Sequence, residues 1–415
     1  MQQYGEHAGD RDLSWGTRPG PLSGVLVLDI TRVVAGPYCA MMFADLGATV
    51  IKIENPGDPD YARTFPPFAG DIPASAFFTQ FNRNKRGITL DFKSDEGKAL
   101  LKSLVRKADI LVENFRPGTM EKLGLGYDVL AAENPRLVYT AISGFGRTGP
   151  NSSRPAYDNT GQAAGGLWSM NGYADRPPVR VGSIIGDLSA SLYAAIGTLA
   201  ALREAEKTGK GQVVDISQQD SVLTLTEHAV VRYTLNNDVA TPLGNDHPFV
   251  RPYGQYPCKD GHIFFGGYTD KFWQISCEIF GASELARDAE IDTMEKRFDE
   301  AVYQRRVRPI VEGWFARHTK AELEDLAGDR IPLSAIKTIA EVVADPHIAA
   351  REMIVEVPVG DAPVRMVGSP LKLSRLGSQE LTAAPMVGAD NGAVLEALLG
   401  LSADQVQGLR DRGVI

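Results

Sequence analysis

Short apolar runs alternate with stretches of helical period along the first half of the chain. Gly24–Asp29 (GVLVLD) reads as a buried strand, Gly36–Gly47 (GPYCAMMFADLG) as a helix closing on glycine, and Ala48–Glu54 (ATVIKIE) as a second strand. A strand–helix–strand unit of this size implies a parallel pair joined by a right-handed crossover. The alternation continues with strands at Ile88–Phe92, Asp109–Asn114, Arg136–Ser143 and Val213–Ser217. A helix over Ser94–Ala108 has Ser94 placed as its cap and acidic residues in its first turn. The predicted fold class is α/β with a doubly wound parallel sheet.

After about residue 220 the pattern changes. Gln219–Asn236 reads as one long helix. Tyr253–Gly267 has a hairpin signature with Asp260-Gly261 at the turn, and helical stretches follow at Asp270–Phe280 and Asp299–Arg317. This half predicts a second, smaller α+β domain. Ala384–Ile415 is helical again, and no internal repeat or low-complexity tract is present.

Composition narrows the function classes. The 415 residues are 43% hydrophobic and 23% charged, and 43 basic against 52 acidic side chains give a net charge of −9. That balance argues against nucleic-acid binding, while a local basic cluster can still hold an anionic ligand. Cys39, Cys258 and Cys277 are scattered, with no CxxC pair, and no HExxH occurs, so no metal site is expected and a cytoplasmic location is. No unbroken apolar run approaches a membrane span, and the polar first 18 residues read as a loose tail without the apolar core of a signal peptide.

Candidate chemistry lies at the strand ends. The first crossover turn, TRVVAGPYCA, lacks the glycine fingerprint of dinucleotide folds, which leaves Glu54 as a weak ribose ligand. Arg83, Lys85 and Arg86 in NRNKRG form either an exposed basic turn or an anion site. Asn114-Phe115-Arg116-Pro117-Gly118 follows a strand directly, at the edge where open α/β sheets bind ligands, and opens a helix whose free N–H groups suit a phosphate. Asp187, in GDLS ahead of an Ala- and Leu-rich helix, is placed at the N-cap. The bland role is capping. The functional one is a nucleophile that the helix dipole keeps ionised.

Several long segments together resemble the class III CoA-transferases, the superfamily of formyl-CoA transferase, the carnitine CoA-transferases and α-methylacyl-CoA racemase. They are LDITRVVAGPYCAMMFADLGATVIKIENPGDPD, NRNKRGITLDFKSDEGKALLKSLVRKADILVENFRPG, GLGYD, ISGFGRTGP and GDLSASLYAAIGTLAALREAEKTGKGQVVDISQQDSVL, spread over about residues 20 to 225. The resemblance implies a Rossmann-like large domain, a smaller domain and an interlocked-ring homodimer. The boundaries read accordingly: a tail at 1–18, the large CoA-binding domain at 19–218, a linker helix at 219–246, the small domain at 247–330, and a linker and C-terminal segment at 331–415 that returns to the large domain.

For the site, the resemblance implies acyl-CoA as substrate, with no permanently bound cofactor. It implies a nucleophilic aspartate, matched by Asp187, that attacks the donor thioester and passes through an anhydride to an aspartyl-CoA thioester. Asn114 and Phe115 match a CoA-contacting pair, Lys122 a residue at the nucleotide, and Val33, Val34 and Ala35 a loop along the pantetheine arm. Tyr157 stands where the family's racemases carry a catalytic histidine, which favours transfer over α-proton exchange. Tyr157 and Gln162 are candidate active-site donors, and Arg83, Lys85, Arg86, Arg116 and Lys122 candidate phosphate partners. The glycine run that covers the aspartate in formyl-CoA transferases is replaced by VRPYGQYP, and Asn55 stands at a basic position, so an oxalate-specific enzyme is not expected. The resulting expectation is a CoA-transferase acting on a carboxylic acid, a dicarboxylate by preference, with Arg180 and Arg251 as candidates for the distal carboxylate. A racemase or isomerase acting on an acyl-CoA and a catalytically idle CoA-binding subunit are the alternatives.

Overall fold

The computed structural model describes residues 13, 16, 18–70, 74–377 and 380–415. The expected tail at 1–18 lies almost wholly outside the described residues. The chain divides into two compact units. One runs up to Trp168 and includes Arg180–Asp238 and Ala350–Ile415, and the other joins Ser169–Val179 to Val239–Ala349.

In the first unit six strands, β1 (Leu26–Asp29), β2 (Thr49–Glu54), β3 (Arg86–Thr89), β4 (Ile110–Glu113), β5 (Val138–Ser143) and β6 (Val213–Ser217), form one parallel sheet in the order β3-β2-β1-β4-β5-β6. This is the doubly wound order, with its switch point between β1 and β4. Every residue of β1, β2 and β4 is buried, which is why apolar residues fall on both faces of each and not on alternate positions; the charged Asp29, Lys52, Glu54 and Glu113 are buried with them.

The helices are α1 (Ala35–Asp45), α2 (Ala76–Asn82), α3 (Asp95–Val105), α4 (Thr119–Lys122), α5 (Tyr127–Glu133), α6 (Asp158–Ala164), the single turn α7 (Leu167–Met170), α8 (Ile185–Thr208), α9 (Gln218–Leu223) and α10 (Ala229–Asn236). Ser94 caps α3 as expected, accepting the Gly97 N–H at 3.0 Å. One face of the sheet packs on α1 and α8, the other on α3, α5 and the C-terminal helices Asn391–Leu399 and Ala403–Asp411. α8 is long and apolar enough on average to cross a membrane. Its alanines instead lie in the core against α1, close enough for Ser191 Oγ to donate to Ala35 O at 2.7 Å.

The helix expected over 219–236 is two helices, α9 and α10. Thr224 and Thr226 hydroxyls donate back to the Ser221 and Leu223 carbonyls, at 2.7 and 2.8 Å, and Glu227 takes a left-handed φ of 54°. Such side-chain bonds compete with helix propagation. The second unit holds the expected hairpin, with Gly254–Cys258 paired to Gly261–Phe265, and a third strand, Leu333–Ala335, on the latter. Its core is built on Tyr256, Phe265, Trp273, Tyr303 and Phe315.

Candidate active site

All six β-strands of the parallel sheet end at one edge, and two hollows adjoin there. The first, about 710 Å³, is lined by Thr31 and Arg32 after β1, Glu54 and Asn55 at the end of β2, Phe92 after β3, and Phe115 and Thr119 after β4. The second, about 820 Å³, is lined by Val33–Ala35, Tyr61, Asn114–Pro117, Ser143, Gly144, Arg154, Tyr157, Asp187 and Gln218. Arg32 and Phe115 border both.

The switch point is braced by Asn114. Its Oδ1 accepts the Arg32 N–H at 2.9 Å and its Nδ2 donates to Arg32 O at 2.8 Å, so one amide ties the loop after β1 to the end of β4. Next to it Val33 has a φ of 69°, an outlier for a β-branched residue. Its N–H donates to both carboxylate oxygens of Asp60, at 3.0 and 3.1 Å, and the buried Lys52 Nζ donates to Asp60 at 3.2 Å and to Thr31 O at 2.9 Å. Glu113 accepts the Phe115 N–H at 2.8 Å and shapes the other wall.

Asp187 is the third residue of α8, within the first turn of the helix and not at its cap. The amino end of α8 is occupied by another acid. Asp158 Oδ1, from α6, accepts the Gly186 N–H at 2.8 Å and the Asp187 N–H at 3.2 Å. The Asp187 carboxylate instead accepts from Gln218 Nε2 at the start of α9. Burial pushes the Asp187 carboxyl up to about 7, the negative charge of Asp158 adds to that, and the Gln218 donor works against both. The expectation that the helix dipole keeps Asp187 firmly ionised is thereby corrected: the dipole's donors are taken by Asp158.

Of the residues singled out in sequence, the structure brings Val33, Val34, Ala35, Asn114, Phe115, Arg116, Tyr157 and Asp187 to one hollow. Tyr157 is 71% exposed there, beside Tyr61 in the lining. Gln162 does not line it. Gln162 Nε2 donates to Asp158 Oδ2 at 2.7 Å and to Ser183 O at 3.2 Å, and its Oε1 accepts from Trp168 Nε1 at 2.9 Å, so its amide is fully engaged behind the site.

Arg83 and Lys85 are not anion ligands. Arg83 Nη2 lies 2.7 Å from Asp45 Oδ2, and Lys85 Nζ, wholly buried, donates to Asp29 Oδ2 at 2.7 Å, Asn82 Oδ1 at 2.8 Å and Pro37 O at 2.9 Å. Burial pulls the Lys85 ammonium down to about 8. The physical reason is placement: the loop before β3 enters the sheet at its amino end, and its cations turn inward to buried carboxylates. Arg86, at the start of β3, faces Asp390 at 3.4 Å, and Lys122 is exposed on α4 between the lining residues Thr119 and Leu123. Arg251, in the second unit, is held by Glu300 and by Phe298 O, at 3.2 Å from the latter, and Arg180, in the first unit, is exposed.

Sequence reasoning passed over Gln218, Asp158, Arg32 and Arg154. Gln218 had a signal, since it follows β6 directly at the ligand edge.

Comparison with known proteins identifies the family. Residues 22–391 match the model of CoA-transferase family III. A succinyl-CoA:mesaconate CoA-transferase of Haloarcula hispanica is 37% identical over 94% of this chain and 99% of its own. A succinyl-CoA–D-citramalate CoA-transferase of Chloroflexus aurantiacus is 36% identical over 96% and 98%. The crystal structure of a CAIB/BAIF family protein from Brucella suis superposes with a TM-score of 0.80 at 32% identity, over 92% of this chain and all of that one. The chain belongs to CoA-transferase family III.

Proposed function

We propose that this enzyme moves CoA from a dicarboxylyl-CoA, succinyl-CoA first, to a small dicarboxylic acid, and that Asp187 carries the acyl group and then CoA. One observation carries the reading: a largely desolvated carboxylate, hydrogen-bonded by Gln218, lines a hollow that shares Arg32 and Phe115 with a second one at the switch point. Two adjoining hollows suit a ligand with a long arm and a nucleotide head.

The chemistry balances without a metal or nucleotide triphosphate. An Asp187 oxygen bonds to the thioester carbonyl carbon, the C–S bond breaks, and CoA leaves as thiolate with its electron pair. The thiolate then attacks the aspartyl carbonyl of the anhydride and frees the donor acid. The acceptor carboxylate repeats the two steps in reverse order. Thioester is exchanged for thioester, so the barrier and not the equilibrium is what the site lowers. Proximity of carboxylate and carbonyl supplies much of this, about 7 kcal/mol or more in well-aligned cases.

The names of the relatives, with succinyl-CoA as donor and mesaconate or citramalate as acceptor, support dicarboxylates. A racemase would need a base pair across the α-carbon. Among the described residues no histidine lines the hollow. Against an idle subunit stands the Asp187–Gln218 pairing inside an open hollow.

The assembly belongs to the same proposal. Leu192, Tyr193 and Ile196 on α8 and Val230, Val231, Tyr233 and Leu235 on α10 are exposed, an apolar surface that suits the homodimer the resemblance implies. The three cysteines are free, which suits a reducing cytoplasm.

The deciding experiment offers succinyl-CoA with a panel of free acids and identifies acyl-CoA products by mass spectrometry. Hydroxylamine added with succinyl-CoA should leave a hydroxamate on the peptide containing Asp187. No transfer to any dicarboxylate, together with no label at Asp187, would reject the reading.

A further inference from the structure

We propose that Asp158 is a positioning residue for Asp187: it fills the amino end of α8, faces the Asp187 carboxylate with a second negative charge, and so keeps that carboxylate a strong base and nucleophile, while Gln162 and Trp168 hold it in place. The proposal rests on the aspartyl-transfer reading above and adds a residue to it.

The geometry is specific. Two backbone donors at the start of α8, those of Gly186 and Asp187, converge on one oxygen of Asp158 at 2.8 and 3.2 Å. The other oxygen accepts from Gln162 at 2.7 Å, and Gln162 is fixed in turn by the Trp168 indole at 2.9 Å. Gly186 leaves the room for this contact, since a Cβ there would stand 2.9 Å from both Asp158 O and Asp158 Oδ1. The same helix α6 also packs against the helix that carries Gln218, the donor to the Asp187 carboxylate. A Cβ on Gly161 would meet Gln218 Cβ at 2.7 Å, and one on Gly165 would meet Val222 Cγ1 at 2.7 Å, so α6 and α9 lie in backbone-close contact along one face. One short helix thus governs both sides of the nucleophile.

The consequence is chemical. A helix amino end can stabilise one nearby anion well. Had Asp187 capped α8 itself, its carboxylate would be fully ionised and weakly basic. With Asp158 in that position, Asp187 sits beside a like charge in a desolvated place, and its basicity rises as burial also dictates. A more basic carboxylate is the better nucleophile toward a thioester. The other titratable and charged groups that face the hollow are Tyr61, Tyr157, Arg32, Arg116 and Arg154. They are the same in a variant at position 158 and drop out of a comparison.

The test follows the pH dependence of hydroxamate formation on the Asp187 peptide, in the full-length enzyme with succinyl-CoA and hydroxylamine, for wild type and Asp158→Asn. Removing the neighbouring charge should move the midpoint of the acid limb down by about one pH unit or more, with kcat reduced and KM for succinyl-CoA little changed. A merely structural Asp158 would lower stability and leave the midpoint in place, and that result overturns the proposal. Wild-type enzyme that forms no hydroxamate at Asp187 overturns the aspartyl reading itself, and this proposal with it. Should Asp158→Asn fail to fold, Trp168→Phe is read instead. Freed from the indole, Gln162 no longer fixes Asp158, so kcat should drop several-fold at constant KM and the limb should move. Unchanged kcat and an unmoved limb overturn the proposal.

Discussion

Replacing the candidate nucleophile should make the folded protein more stable, and the gain should depend on pH. The Asp187 carboxyl ionises at about 7 in the folded chain against an ordinary value of 3.8. Between these values the folded state holds a proton that the unfolded state has released, so stability falls as pH rises. The contribution is fully favourable below about pH 4, is lost through the interval, and is absent above about pH 7. The two values correspond to on the order of 4 kcal/mol. Asp187→Asn removes the titration and keeps the shape. The Asn carbonyl can still accept from Gln218, and the amino end of α8 is unaffected because Asp158 and not Asp187 binds it. The variant should match wild type near pH 4 and exceed it near pH 8. For domains of 150–250 residues each kcal/mol is worth about 2–4 °C in Tm, so the separation should reach several degrees while transferase activity is lost. The measurement is Tm of the two proteins by scanning calorimetry at pH steps from 4 to 8. All other titrating groups are shared, so the difference curve isolates this carboxyl. A difference that is flat in pH, or a variant less stable at pH 8, would refute the argument.

Transfer by wild type should fall on acidification through about pH 7, where Asp187 takes up a proton, with kcat/KM for succinyl-CoA against pH as the readout. Gln218→Leu should move that limb upward, because it removes a hydrogen bond to the charged form, an interaction of about 1.5–3 kcal/mol; stability should fall by a similar amount above about pH 7, where Asp187 is charged, and change little well below it. Lys85→Met should cost about 3–5 kcal/mol of stability in denaturant titration by stranding the buried Asp29 carboxylate, yet leave the calorimetric Kd for CoA unchanged in the folded fraction. Phe115→Ala, by contrast, should weaken CoA binding with little loss of stability, since Phe115 borders both hollows and is only partly buried.

The sheet was legible because a parallel strand covered on both faces is rich in apolar residues on both, and GVLVLD, ATVIKIE and DILVEN are, with the buried charges of Asp29, Lys52, Glu54 and Glu113 at or near their carboxyl ends. Asn114, Phe115 and Asp187 were legible for a related reason: they stand at strand ends or at the start of a long Ala-rich helix, where order along the chain fixes position in the fold. What failed depended on partners remote in sequence. Nothing local to NRNKRG says that Arg83 will meet Asp45 or that Lys85 will meet Asp29, at separations of 38 and 56 residues. The cap of α8 comes from Asp158, at a separation of 28 residues from the Gly186 N–H it accepts. A helix amino end seen in sequence advertises a vacancy for an anion but not which acid fills it. That Gln218, and not the expected Gln162, meets the carboxylate is of the same kind. Both are glutamines near the site, and only the packing of α6 on α9 decides which faces the carboxylate.

The buried cations that do not bind ligand still bear on the site. Lys52 with Asp60, and Lys85 with Asp29, are ion pairs whose members are fully inaccessible. Such pairs contribute little net stability once desolvation is counted, and apolar side chains of the same volume would serve as well or better. Their geometry suggests another use. Lys52 draws on Thr31 O and Asp60 together, and Asp60 returns two acceptors to the Val33 N–H. Val33 is thereby held at a left-handed φ that costs about 1–3 kcal/mol for a non-glycine residue. A glycine would adopt that φ without strain but would leave the loop free to relax. With valine, the backbone of residues 32–35 stays where the ion network puts it, as one wall of the hollow that contains Asp187. A nucleophile that relies on proximity needs such a wall to be rigid, and charges under the loop provide what apolar packing alone would not: a single backbone conformation at a strained position.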